Sequence, residues 1–332
     1  EGFLVGPKSA YYWQLLENHY RDFKEFKKHF SPTPQAGERF VRPDMVRTLE
    51  LIAESEGESF YQGELADQMA RSSKEAGGLL QKSDLENHKV DWVTPISQDY
   101  RGVSLHEIPP NGQGLAAQIA LGILNHKELG AVDSVDSVHF QIEAMKIAVR
   151  AANEHFSDTD SMKVGVEELL DSVSLQKASD QIRETATSLP PVSLPYGKDT
   201  VYLTAADESG MMVSFIQSNY MAFGSGVVIP GTGIAMQNRG SGFVLDPGHP
   251  NCVGGSKRPY HTIIPGFVTQ GGQPLLSFGA MGGYMQHQGH VQMVSRIFDY
   301  EQNPQAASDA PRWHVQADFS VLVEEGFDRQ VV

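Results

Sequence analysis

A threonine that becomes the first residue of a chain carries a nucleophile and a base on one residue, and Thr200 has the surroundings for that role. It follows Asp199 within Tyr196-Gly-Lys-Asp-Thr-Val-Tyr-Leu-Thr-Ala-Ala-Asp. Once the Asp199-Thr200 bond is cut, the hydroxyl would attack an acyl group while the new α-amine takes the proton. An α-amine has a reference pKa of ~7.7–8.0 against ~10.4 for lysine, so it is partly neutral near pH 7 without special burial. A lone threonine is also an ordinary start to a β-strand, so the reading depends on what surrounds it.

Immediately upstream, Ser188-Leu-Pro-Pro-Val-Ser-Leu-Pro-Tyr-Gly-Lys-Asp reads as a connector. Its prolines forbid helix, and the chain is expected to arrive at Thr200 extended and exposed. Beyond Thr200 the texture is that of short β-like runs: Thr200 to Ala206, Met211 to Ser218, Gly226 to Ile229, Thr262 to Thr269 and Pro274 to Phe278, separated by glycine turns. Val291 to Tyr300 returns to helix. The first 190 residues read mostly as helices, at Tyr11 to Phe30, from Pro43 through Ala53, at Phe60 to Arg71, Gly114 to Leu124 and Ser134 to Phe156. Tyr100 to Pro110 looks extended. The aromatic and Met content of the helices fits core packing.

Composition bounds the partners. The chain has 332 residues, 40% hydrophobic and 20% charged, as in a globular protein of one large or two modest domains. A formal charge of -15 with no Lys/Arg-rich run argues against a nucleic-acid partner. Cys252 is the single cysteine, which excludes an intrachain disulfide, a CxxC zinc site and a thioredoxin motif. No apolar run reaches the roughly 18–20 residues that span a bilayer, so no membrane partner is expected. The opening Glu1-Gly-Phe-Leu-Val-Gly-Pro reads as neither a signal peptide nor a natural start. That leaves the compartment open, with the cytoplasm slightly preferred over the periplasm or secretion.

The segment Thr200 through Gly210, with Gln217-Ser-Asn-Tyr, Phe223-Gly-Ser-Gly-Val, Pro230-Gly-Thr-Gly-Ile and Gln237-Asn-Arg-Gly, resembles the start of the small subunit of γ-glutamyltransferases. Lys257-Arg-Pro, Pro265, Gly279-Ala-Met-Gly-Gly and Ala310-Pro-Arg-Trp-His extend the likeness. Upstream, Thr94-Pro-Ile-Ser-Gln-Asp-Tyr-Arg-Gly and Pro109-Pro-Asn-Gly-Gln-Gly resemble the family's large subunit. The resemblance implies an α+β N-terminal-nucleophile (Ntn) hydrolase, a four-layer αββα sandwich whose precursor cuts itself before the catalytic threonine. It implies that 1–199 is the C-terminal portion of a large subunit and 200–332 a portion of the small subunit, so that the two subunits, or a dimer of such pairs, partner one another. The family's donor-carboxylate arginine has no match here, and the final strands of the small subunit look absent, so the chain is expected to be partial.

The resemblance also assigns roles residue by residue. Thr200 matches the nucleophile, Asp199-Thr200 the cleavage site, and Gly282-Gly283 the pair whose successive N–H groups receive the oxyanion. Thr204 and Ser218 match positions near the nucleophile. At the substrate positions the chain departs from the pattern: Gly242 stands for an aspartate that holds the α-ammonium of the donor, Tyr220 for an asparagine, Arg239 for a glutamine, and His261-Thr262 for a serine pair that contacts the α-carboxylate. Losing the aspartate removes the partner of a positive charge, whereas a guanidinium prefers a carboxylate. The expected substrate is a small-molecule amide: a γ-glutamyl compound, or, by these departures, an acyl donor with a carboxylate and no α-ammonium, as in oxamate amidohydrolases and glutaryl or cephalosporin acylases. Leu245 to Pro259 looks short of a lid, which would favour hydrolysis over transfer. No cofactor is required.

Other chemistries find little. There is no G-x-S-x-G elbow, Walker A pattern or H-E-x-x-H. His287 and His290 lie three apart on an expected helix and could reach one metal, but no carboxylate completes a motif, and no metal is expected. A non-catalytic relative that keeps the fold, or an inactive fragment, is the alternative from a different functional class.

Overall fold

The computed structural model describes residues 1–192 and 199–332, apart from the Asp199 side chain. Tyr196 to Lys198 and the third proline of the connector therefore lie outside the described residues. The chain forms two compact units, Glu1–Trp92 with Met221–Asn238, and Val93–Tyr220 with Arg239–Val332. The expected cleavage boundary at Asp199-Thr200 does not coincide with the division between these units. It falls inside the second unit.

The first unit is helical: α1 (Pro7–Glu17), α2 (Lys24–Phe30), α3 (Pro43–Glu54), α4 (Glu58–Tyr61), α5 (Glu64–Glu75) and α6 (Lys82–Glu86), with β1 (Phe3–Leu4) paired to β2 (Arg39–Phe40). Trp13, Tyr20, Phe26 and Phe30 recur at helical spacing and form one core with Val228 and Phe223. The Tyr20 hydroxyl donates at 3.1 Å to the carbonyls of Met221 and Gly224, which satisfies a buried polar tip. Gly226 to Ile229, expected as a strand, forms only a single bridge, Val228 to Ala235, around Pro230-Gly-Thr-Gly. Gly231 and Gly233 take φ of 74° and 69° there, so the glycines make a tight turn where the apolar residues suggested a ladder.

The second unit holds an antiparallel sheet in the order β3 (Ile96–Tyr100), β4 (Val103–Glu107), β7 (Gly266–Gln270), β8 (Gln273–Phe278). Helix α7 (Gly114–Leu124) is buried at every residue, as a helix apolar all round requires, and its one polar side chain, Gln118, donates to the carbonyls of Ile96 and Leu105. It packs with α8 (Val135–His155), whose N-terminus Ser134 caps by accepting from the Ser137 N–H at 3.2 Å. Leu105, Leu115, Leu121, Met145, Val149, Phe156, Val268 and Val291 share this core, each large aliphatic chain contributing about 1.5–3 kcal/mol by burial. Short helices α9 (Val166–Leu169) and α10 (Ser172–Asp180) follow, then the hairpin β5 (Asp199–Ala206) and β6 (Met212–Tyr220), helices α11 (Gln286–Phe298) and α12 (Pro304–Asp309), and the pair β9 (Trp313–Val315) and β10 (Val321–Val323). Among the described residues no helix is long and apolar enough to cross a membrane.

Strand alternation decides which way the hairpin faces. Val201, Leu203, Val213 and Phe215 are exposed on one side. Thr200, Tyr202, Thr204 and Ser214 lie on the other, which meets β7 and β8: the Ser214 hydroxyl donates to the Gly266 carbonyl at 2.9 Å, and the Thr204 and Ser277 hydroxyls bond each other. The described start of the connector is also held, since the Val192 N–H donates to the Ala317 carbonyl at 2.8 Å.

Candidate active site

Thr200 sits where the ladder breaks. Asp199 pairs with Tyr220 but Val201 pairs with Gln217, so β6 carries an extra residue opposite Thr200. Such a bulge bends the strand and re-aims side chains. Ser218 lies on the bulge, where its hydroxyl accepts from the Tyr220 N–H at 2.9 Å. Tyr220 closes it with a left-handed φ of 80°, which is costly for a bulky residue and is held by burial. Thr200 itself is half-buried, so the expectation of full exposure at this point does not hold.

The Thr200 hydroxyl faces the start of α11. The Gln286 Nε2 donates to Thr200 Oγ1 at 3.4 Å, and the Gln286 Oε1 accepts from the Ile264 N–H at 3.2 Å. Just before this helix, Gly282 and Gly283 have φ of 132° and 59°, values that favour glycine and turn the backbone sharply into the helix. Gln113 fixes this turn: its Nε2 donates to the carbonyls of Gly283 at 2.8 Å and Thr262 at 2.6 Å, and its Oε1 bonds His287 Nδ1 at 2.8 Å. One buried amide thereby ties the glycine turn to the segment carrying His261 and Thr262.

His261 is held in register by its own N–H, which donates to the Asn111 carbonyl at 3.0 Å. Burial, with Arg239 and Arg258 nearby, pushes its imidazole down to about 3, so it is neutral near pH 7. Its Nδ1 accepts from the Ile263 N–H at 3.2 Å, which leaves Nε2–H as the donor. Arg239 lies over the Tyr220 ring at 4.9 Å, and burial lowers its pKa. Burial pushes the Tyr220 phenol up to about 12, and that phenol is hydrogen-bonded to Tyr284.

Gly242 is closed to any side chain. A Cβ there would come within 2.5 Å of the Tyr260 carbonyl oxygen, and Asn251 locks the approach by donating to the Gly242 carbonyl at 2.7 Å and accepting from the Tyr260 N–H at 2.9 Å. A cleft of about 120 Å³ beside it is lined by Asn153, Phe156, His249, Asn251, Tyr260 and Tyr284 among others, with no carboxylate in the lining.

The structure thus gathers Thr200 and Gln286, links Thr262 to Gly283 through Gln113, and joins Tyr220 with Ser218 and Arg239. Thr204 is not brought to Thr200. Four residues along a strand is about 13 Å, and its hydroxyl is taken by Ser277. His287 and His290 are committed to separate partners, His290 Nδ1 meeting Glu107 Oε1 at 2.6 Å in a fully buried pair that burial pulls toward neutrality at the carboxyl. No group of three or more potential ligands among the described residues could hold a metal ion. Gln286 and Gln113 were not singled out from the sequence as site residues. Gln113 stood inside a recognised motif, but Gln286 carried no signal beyond lying three residues after the glycine pair.

Comparison with known proteins places the chain in a family. The chain is 36% identical over 282 residues to a glutathione hydrolase-like YwrD proenzyme of Bacillus subtilis, a match covering 84% of this chain and 53% of that protein. It is 34% identical over 285 residues to an oxamate amidohydrolase proenzyme of Klebsiella pneumoniae, with the same coverages. The structure of a cephalosporin acylase from Bacillus halodurans superposes with a TM-score of 0.94 at 47% identity, over 99% of this chain and 62% of that one, so the mixed α/β fold is that of these Ntn hydrolases. The chain spans about half the length of the curated relatives it matches. The γ-glutamyltranspeptidase family profile matches residues 1–332, and the chain belongs to that family.

Proposed function

We propose that the protein is a self-processed threonine amide hydrolase that acylates and deacylates Thr200. The observation that supports this most directly is the contact between Thr200 Oγ1 and the first residue of α11, which places the hydroxyl at the helix entered through Gly282-Gly283. In processing, the Thr200 hydroxyl attacks the Asp199 carbonyl carbon, the peptide C–N bond breaks as the amine takes the proton, and water opens the resulting ester. The freed α-amine then serves as base. In turnover the hydroxyl attacks the amide carbonyl of a donor, its proton passes through the α-amine to the leaving amine, and water or an acceptor amine resolves the ester. The N–H groups of Gly282 and Gly283 receive the oxyanion in both steps. No cofactor takes part.

Under this reading, 1–199 and 200–332 are portions of a large and a small subunit. The sheet β3-β4-β7-β8 and the hairpin β5-β6, whose Thr200 face meets β7 and β8, are two β layers of a four-layer αββα sandwich. The acyl donor carries a carboxylate and no α-ammonium. Gly242 leaves no room for an ammonium partner, while Arg239, Arg258 and the His261 Nε2–H favour a carboxylate. An oxamate-like or glutaryl amide fits better than a γ-glutamyl one. Intact mass of the expressed full-length protein tests the processing, with two fragments separated at Asp199-Thr200 as the expected result. Turnover of oxamate, a glutaryl anilide and a γ-glutamyl anilide tests the donor. A single uncut chain with full activity would sink the processing claim, and strong preference for the γ-glutamyl compound would sink the donor claim.

A further inference from the structure

We propose that Gln286 is a positioning residue that orients the Thr200 hydroxyl for attack, an inference resting on the reading of Thr200 as the nucleophile. Gln286 is fully buried, and its amide is fixed at both ends. Because Oε1 accepts from the Ile264 N–H, rotating the amide would set its NH2 against another donor, so Nε2 must face Thr200 Oγ1. Ile264 is itself fully buried, so the anchor does not drift.

A donor directed at Oγ1 has two consequences. It occupies a lone pair of the hydroxyl, so the hydroxyl proton points away from Gln286 and is left for the base, which after processing is the α-amine. It also stabilises the negative charge that grows on Oγ1 as that proton leaves. A carboxamide neither gains nor loses a proton in this range, so Gln286 cannot be the base. The contact is at the long end for a hydrogen bond, as catalytic bonds often are before substrate binds, and it shortens as charge develops. Self-cleavage and turnover use the same oxygen, so both depend on Gln286.

The test uses full-length protein carrying Gln286→Leu or Gln286→Glu, with processing followed by intact mass and turnover of the donor identified for the wild type followed across pH. Gln286→Leu should slow both processing and kcat by about tenfold to a hundredfold with KM within about threefold. Because it strands the Ile264 N–H and could weaken folding, Gln286→Glu decides the matter: it keeps an acceptor for Ile264, replaces the donor to Thr200 by an acceptor, and places a negative charge beside the α-amine. That charge favours the ammonium form, so the rising limb of kcat/KM against pH should move to higher pH by about one unit. A residue that did not face the Thr200 hydroxyl and amine would leave the pH profile unmoved. Folded Gln286→Glu protein that processes and turns over within about threefold of wild type, with an unshifted profile, would overturn the inference alone. A wild-type protein that neither cuts itself nor turns over any amide would overturn the reading of Thr200 and this inference with it.

Discussion

Thr200 and Thr204 are the same residue type on the same face of one strand, yet their surroundings differ. Thr200 lies opposite a bulge, beside a glutamine anchored at the head of a buried helix. Thr204 lies in regular ladder opposite Ser214 and shares a hydrogen bond with Ser277. Threonine chemistry is therefore set by position: the bulge re-aims one hydroxyl toward a helix start, while the unbroken register spends the other on holding the hairpin against β8. The resemblance alone assigned both to the site, and only the geometry separates them.

The largest expected effect comes from removing the equipped hydroxyl. Thr200→Ala should abolish self-cleavage and lower turnover on the order of 10⁴-fold or more, since nothing else on that face replaces the nucleophile. Intact mass and an amide hydrolysis assay read both. Retained processing would erase the distinction between the two ends of β5.

Next in size is the glycine turn that precedes α11, the proposed oxyanion site. At Gly282, with φ of 132°, an added Cβ would lie 3.0 Å from Met285 Cβ, so Gly282→Ala must shift the N–H groups that follow. A displaced oxyanion donor costs about 10²–10³ in kcat. The expected result is a kcat loss of that size with folded protein by circular dichroism. A loss confined to KM would mean that the glycines bind substrate without stabilising charge.

Gly242→Asp probes the walls of the site with a smaller effect. If a missing aspartate were the only reason for donor choice, restoring it would raise γ-glutamyl turnover. The Tyr260 carbonyl at 2.5 Å from the added Cβ predicts otherwise: a stability loss of about 1–3 kcal/mol with no gain on the γ-glutamyl substrate. A tenfold gain at unchanged melting temperature would show that the loop from Gly242 to Tyr260 yields easily.

What the sequence made legible follows from how each residue is used. Helices with one apolar stripe or a nearly all-apolar body, such as α8 and α7, stand out because their pattern reflects burial in a common core. The start of α11 did not. Gln286, His287, Gln288 and His290 are polar in type and almost fully buried in place, so hydropathy marks the helix only from Val291, and the expected helix around His287 and His290 has no apolar stripe to fix its start at Gln286. Their burial is offset in part by hydrogen bonds to Thr200, Gln113, Val315 and Glu107, residues distant in sequence. Family motifs carried the reading to Thr200 and the glycine pair, where backbone requirements leave a mark in glycine spacing. They could not reveal that Gly242 is packed against a carbonyl, because a glycine written in the sequence looks the same whether it frees space or fills it.

The smallest effect is the other half of the comparison. Thr204→Val removes the hydroxyl shared with Ser277 and keeps shape, strand preference and register. The lost hydrogen bond is worth about 0.5–1.5 kcal/mol, and the higher β propensity of valine offsets part of that, so the melting temperature should fall by only a few degrees. Processing and kcat should stay within about twofold, because roughly 13 Å of strand separates this side chain from Thr200. The two rates, measured together, separate the possible causes of any larger loss. A tenfold fall in both would mean that the hairpin must be clamped to β8 for the bulge to aim Thr200, since the Thr200 hydroxyl is common to both steps. A fall in turnover alone would point to substrate reaching down the strand as far as Thr204.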